Sequence, residues 1–166
     1  MGEDDEDGEV RDVYAHFGLA LYMAQVLEHG LVNTMLFLRA RGASRMEEAE
    51  IDAFYNRHFR RTLGQLVRGL SEYAEVPEGL VGVLRDALQK RNWLAHSYFR
   101  ERSKDFMTGD GRTSMIQELQ SARDQIHDAD QRLESFLGPI RRRLGLTDEM
   151  LEEEYCRMRA ELGAGG

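Results

Sequence analysis

Apolar residues recur along the chain at intervals of three and four, and strand-like alternation of β-branched residues is absent. The pattern predicts an all-α protein. Val13, Phe17, Ala20, Ala24, Leu27, Leu31, Met35 and Leu38 form one stripe of a first helix from about Val10 to Arg41, with Gly42 as its stop. A second helix is expected from Met46 to about Tyr73, burying Ile51, Phe54, Tyr55, Phe59, Leu63, Leu66, Val67 and Leu70. Its acidic start suits the positive end of the helix dipole. Pro77 can open a third helix at its first position, followed by Leu80, Val81, Leu84 and Leu88. The glycine-rich run from Thr108 to Ser114 breaks the pattern. A fourth helix then carries Met115, Leu119, Ala122, Ile126, Ala129, Leu133, Phe136 and Ile140 in alternating steps of four and three. Gly138-Pro139 should bend or end it, and Leu151, Tyr155, Met158 and Leu162 define a short last helix. The expected architecture is a bundle of four long helices plus a short C-terminal one, with no internal repeat. The regular seams could pack within one chain or against a second copy.

A length of 166 residues with 42% hydrophobic content suits one core rather than two. The chain divides into an acidic, disordered tail over residues 1–9, a single helical domain over 10–162 and a flexible end over 163–166. The longest apolar stretches, Gly18 to Met23 and Leu31 to Leu38, fall short of a bilayer-spanning length. The acidic start lacks the charge and apolar core of a signal peptide, so a cytoplasmic location without membrane association is expected. A lone cysteine, Cys156, has no internal disulfide partner. The net charge of −8 argues against a nucleic-acid partner only superficially, because much of it lies in Glu3, Asp4, Asp5, Glu6, Asp7 and Glu9. The remainder is nearly neutral. Its arginines are grouped at Arg57, Arg60 and Arg61, at Arg100 and Arg102, and at Arg141, Arg142 and Arg143, which leaves either local basic patches or solvated helix faces.

The chemistry-bearing segment is Arg91-Asn-Trp-Leu-Ala-His96-Ser-Tyr98, late in the third expected helix. An arginine five positions before a histidine is a permissive spacing, repeated at Arg11 and His16. Position separates the two pairs: Arg11 adjoins the acidic tail, whereas Arg91 follows two helices and can face a bundle cleft. Histidine exchanges protons near neutral pH, so His96 could deprotonate a ribose 2′-hydroxyl or protonate a leaving oxygen. Arg91 offers a charged, planar fork of donors for a phosphate and for charge building on its oxygens. Asn92 and His96 are four apart and share a face, so the amide could orient the imidazole or bond the substrate. Arg91 and His96 are about 140° apart around an ideal helix, and pairing two copies across a symmetry axis would complete a pocket. The structural alternative has Arg91 bridging Asp86 or Glu101 and His96 buried beside Trp93.

Arg91-Asn92 followed by three residues and His96 resembles the Arg-polar-xxx-His signature of the HEPN superfamily. The resemblance covers this motif and the helical layout. It implies a HEPN-like all-α bundle and a metal-independent endoribonuclease of toxin or defence type, acting on RNA as a homodimer in which two motifs face one cleft. Arg91, Asn92 and His96 correspond to the catalytic arginine, polar residue and histidine. Tyr98 extends the likeness to a subgroup with Arg-xxxx-His-x-Tyr, in which a partner nucleotidyltransferase adenylylates the tyrosine and silences the enzyme. Tyr98 is thereby a candidate regulatory modification site, and an antitoxin or nucleotidyltransferase a candidate partner. The continuation Phe99-Arg-Glu-Arg departs from that subgroup, and Tyr98 can equally be a packing residue. The runner-up function is a non-catalytic HEPN-like module that binds a nucleotide or a protein.

Other constellations carry less. Asp124 and His127 have a metal-compatible spacing but lack the further inward carboxylates of a di-metal bundle. Gly109-Asp-Gly111 lacks the ending of a phosphate-cradling loop. His29 and His58 belong to no triad. Neither metal nor cofactor is expected.

Overall fold

The computed structural model describes residues 3–40, 47–58, 62–72, 74–143, 145, 149–150, 152–153, 156–157 and 160. Helix α1 spans Glu3–Ala40, α2 Glu48–His58, α3 Leu63–Leu70, α4 Glu78–His96, α5 Tyr98–Glu101 and α6 Gly109–Arg143, with a short 3-10 turn at Asp105–Met107 before α6. Among the described residues no strand occurs, and no helix is long and apolar enough to cross a membrane.

Two helices dominate: α1 with 38 residues and α6 with 35. At 1.5 Å per residue, each is over about 50 Å long. They run parallel, since Glu9 meets Arg112 near their starts and Gly30 approaches Asp130 and Leu133 further along. From α1 the core takes Val13, Ala20, Ala24, Leu27, Leu31, Val32, Met35 and Leu38, and from α6 Met115, Leu119, Ala122, Ile126, Ala129, Leu133, Leu137 and Ile140. The alanines on both stripes keep the side-chain layer thin. At Gly30 the approach is close enough that a Cβ would lie 3.2 Å from the Asp130 carboxylate, so glycine suits that crossing. Phe17 and Phe136, expected in the stripes, are only partly buried, and Leu137 takes the inward position on α6.

Helix α4 runs against both long helices: Arg91 meets Glu28 of α1, while the following Tyr98 reaches back to Phe17 and to Met115 at the start of α6. Pro77 precedes the helix as its cap residue rather than forming its first turn. Leu80, Leu84, Ala87 and Leu94 bury one face of α4, leaving the opposite face to solvent.

Three further features differ from the sequence expectation. Helix α1 begins at Glu3, so the acidic segment from there to Glu9 is helical instead of a disordered tail. The expected second helix is two helices. Thr62 is extended at φ −71 and ψ 154, its Oγ1 accepts the Gln65 N–H and the Gln65 side chain accepts the Thr62 N–H, a reciprocal cap that starts α3 afresh. Helix α6 continues through Pro139 to Arg143, so of the two outcomes expected there, a bend or an end, the end does not occur. Pro139 is exposed, so the carbonyl one turn back that loses its amide partner can be met by water. Gly42, Phe59 and Tyr73, and the apolar positions Leu151, Tyr155, Met158 and Leu162 of the last expected helix, lie outside the described residues.

Candidate functional site

The last turns of α4 hold the three motif residues. Arg91 lies on the side of α4 that faces α1, where its Nη2 stands 3.1 Å from Glu28 Oε1. Its Nη1 donates to Asn92 Oδ1 at 3.2 Å. The guanidinium is therefore pinned between an acid on the neighbouring helix and an amide on its own, with about a third of the side chain still exposed. A guanidinium carries five N–H donors, so these two contacts leave donors for a ligand.

Asn92 and His96 both stand on the exposed face of α4, one turn apart. The amide oxygen of Asn92 accepts from Arg91, so in this arrangement it holds the arginine rather than orienting the imidazole. Among the described residues no hydrogen bond or ion pair engages the His96 ring. His96 is the last residue of the helix: Ser97 follows at φ −129 with its N–H bonded to the Trp93 carbonyl, and the chain turns into α5. The alternative placement of these residues does not occur, since Arg91 pairs with Glu28 and His96 is exposed rather than buried beside Trp93.

Tyr98 is a core residue. It is 0% exposed, its hydroxyl donates to the Met115 carbonyl at 3.1 Å, and its ring packs edge-on against Trp93 and alongside Phe17. Burial, reinforced by the Glu118 carboxylate, pushes its phenol well above the ordinary tyrosine range. Its hydroxyl is not exposed in this fold, and Tyr98 takes the packing place that the sequence also allowed. The physical reason is the turn at Ser97, which swings the residue from the helix face into the interior.

Around Trp93 lies a group that motif reading passed over. Its Nε1 donates to Glu101 at 2.9 Å, the Lys90 ammonium sits 5.0 Å from the ring centroid, and the Arg102 guanidinium lies 5.6 Å from it. Arg102 is itself held by a two-bond fork to Glu118 at 2.8 and 2.6 Å. Beside Trp93, between α4 and α6, is a cavity of about 370 Å³ lined by Asp86, Gln89, Lys90, Trp93 and Gln125.

The remaining candidates are scattered. Arg11 is exposed and His16 half-buried on α1. Asp124 pairs with Arg123, and His127 meets Gln131. Among the described residues, no three or more His, Cys, Asp or Glu side chains are grouped to hold a metal ion. His58 is buried against Phe54, with Nδ1 2.8 Å from that residue's carbonyl. Cys156 is exposed.

Glu28 was invisible to motif reading because it lies far away in sequence, at the edge of the α1 stripe. Comparison of the chain with family models, with curated proteins and with solved structures gives no match.

Proposed function

We propose that the protein is a metal-independent endoribonuclease with a HEPN-like bundle, acting as a homodimer in which the α4 ends of two copies face one RNA strand. The observation that carries this reading is the pair of groups in the last turns of α4: a guanidinium fixed by Glu28 and Asn92, and beyond it an exposed imidazole engaged by no neighbour among the described residues. In this reading the ribose 2′-oxygen attacks phosphorus while one copy's His96 takes its proton. The bond to the 5′-oxygen breaks, and the second copy's His96, entering as imidazolium, protonates the departing oxygen. The products are a 2′,3′-cyclic phosphate and a 5′-hydroxyl. Arg91 neutralises charge on the non-bridging oxygens. Two copies are needed because, within one chain, Arg91 and His96 leave α4 on different sides.

A second reading has an observation of its own. The Glu28 carboxylate already compensates Arg91, as in a bundle whose arginine is structural and whose exposed α4 face binds a nucleotide or a protein without chemistry. RNA incubated in chelator with the wild type and with His96→Ala decides between them. Cleavage by the wild type to cyclic-phosphate ends, reduced at least a hundredfold in the variant, is the expected result. No cleavage by either protein, or equal cleavage by both, overturns the ribonuclease reading and leaves the binding module.

A further inference from the structure

We infer that the cavity beside Trp93 is a base-binding subsite for single-stranded RNA, one helical turn from His96; its substrate class rests on the ribonuclease reading. Placement comes first. Trp93 and His96 are three apart on α4, so their side chains emerge as neighbours on adjoining parts of the helix surface. A base held against Trp93 thus lies beside the phosphate that His96 would address.

Chemistry comes second. The indole is packed on the core along one side yet only partly buried, giving a rigid π-surface held by the Nε1 bond to Glu101. Nucleobases stack on such surfaces without strong sequence preference. The Lys90 ammonium already lies over this ring at 5.0 Å, and its flexible stem lets it move from the ring to an RNA phosphate as a base arrives. Gln89 and Gln125 bring an amide from each side of the cavity, each with both donor and acceptor atoms to match a base edge. At about 370 Å³ the space is an open cleft rather than an enclosed pocket, so it suits one base laid against Trp93 with an edge left in solvent. Asp86 also lines it, and its negative charge disfavours seating the phosphate beside it and favours the Lys90 side.

The sequence contains one tryptophan, so the protein's intrinsic tryptophan fluorescence reports on this cavity alone. The full chain is titrated with the four ribonucleoside 3′-monophosphates, and with ribose 5-phosphate and inorganic phosphate as probes that lack a base. Saturable quenching by at least one nucleotide, about tenfold tighter than by ribose 5-phosphate, is expected. Gln125→Ala, at an exposed position on α6, should weaken that nucleotide about tenfold with an unchanged circular dichroism spectrum. Equal affinity for ribose 5-phosphate, no response to any nucleotide, or indifference to Gln125→Ala overturns the subsite. Nucleotide binding without RNA cleavage keeps the subsite and removes the ribonuclease reading, whereas cleavage without a nucleotide response does the reverse.

Discussion

Two titrating side chains, the buried Tyr98 and the half-buried Asp130, make pH a probe of packing. Tyr98 holds its phenolic proton more tightly in the fold than in the unfolded chain, first because it is buried and then because Glu118 is near. Unfolded tyrosine ionises near pH 10. The stabilisation attributable to this group is therefore complete below that pH and is lost as pH rises above it, where the unfolded chain binds fewer protons. Tyr98→Phe should cost about 1 kcal/mol at neutral pH through the lost bond to Met115, and should flatten the alkaline fall in stability. Urea unfolding at pH 7 and above pH 10 measures both effects, and an unchanged alkaline slope would rule out this assignment. Asp130 is raised as well, by burial first and by Glu134 second, against a smaller opposing influence of His127. Its raised value means that stability falls as pH climbs from the ordinary carboxylate value to the folded one, leaving a standing cost of the charged form at neutral pH. Asp130→Asn should accordingly stabilise the protein at pH 7 and do little at pH 3, a difference readable by thermal unfolding. At this scale the sequence was informative about which residue types could act and silent about their partners. The Arg91 to His96 spacing could be read directly, but Glu28, which fixes the arginine, sits 63 positions before it, where periodicity gives no hint of pairing.

Elements whose apolar stripe is continuous were legible in the sequence, as the inward faces of α1 and α6 show, because burial repeats every turn whatever the partner. Boundaries set by polar contacts were not. Thr62 and Gln65 cap α3 in the middle of an uninterrupted apolar rhythm, so the rhythm reads as one helix where the structure has two. The start of α1 follows the same logic. Glu9 reads as one more acid in a charged run, yet its Oε2 receives the Arg112 Nε–H at 2.9 Å, and Arg112 also donates to the Phe106 carbonyl. Arg112 is 4% exposed, and its carboxylate partner joins the beginnings of the two long helices. Gly111 completes the join: a Cβ there would run into the backbone of Asp105. Removing one member of a buried ion pair costs more than the pair contributes, because the other charge keeps its desolvation. Glu9 is about one-third exposed, which moderates the effect, so Glu9→Ala should cost about 2 kcal/mol in urea unfolding. High salt should remove only part of the loss, since the Arg112 end of the pair is buried and weakly screened while the Glu9 end is open to solvent. A cost within about 0.5 kcal/mol, the range of ordinary surface substitutions, would return the segment before Val10 to the role of a detachable tail.

For the whole molecule, the decisive property is whether one chain contains a complete site. The bundle separates the motif: Arg91 turns toward α1, and His96 stands on the outer face of α4. In the proposed ribonuclease a proton must leave the 2′-oxygen and another must reach the 5′-oxygen on the opposite side of phosphorus, a demand that two histidines meet and a single fixed one does not. Two copies related by a twofold axis would supply both, and their Arg91 residues would flank the same phosphate. The requirement has a numerical signature. If the wild type exchanges subunits with an equal amount of His96→Ala protein, only dimers with two intact copies cut, and activity should fall to about half that of the same wild type alone. With a threefold excess of the variant it should fall to about a quarter. A site complete within each chain would leave activity unchanged at every ratio. Refolding the mixed chains together before assay ensures exchange, and sedimentation of the mixture verifies that dimers form. Constant activity across the series would exclude the two-histidine site, because each intact chain would then carry both proton transfers by itself.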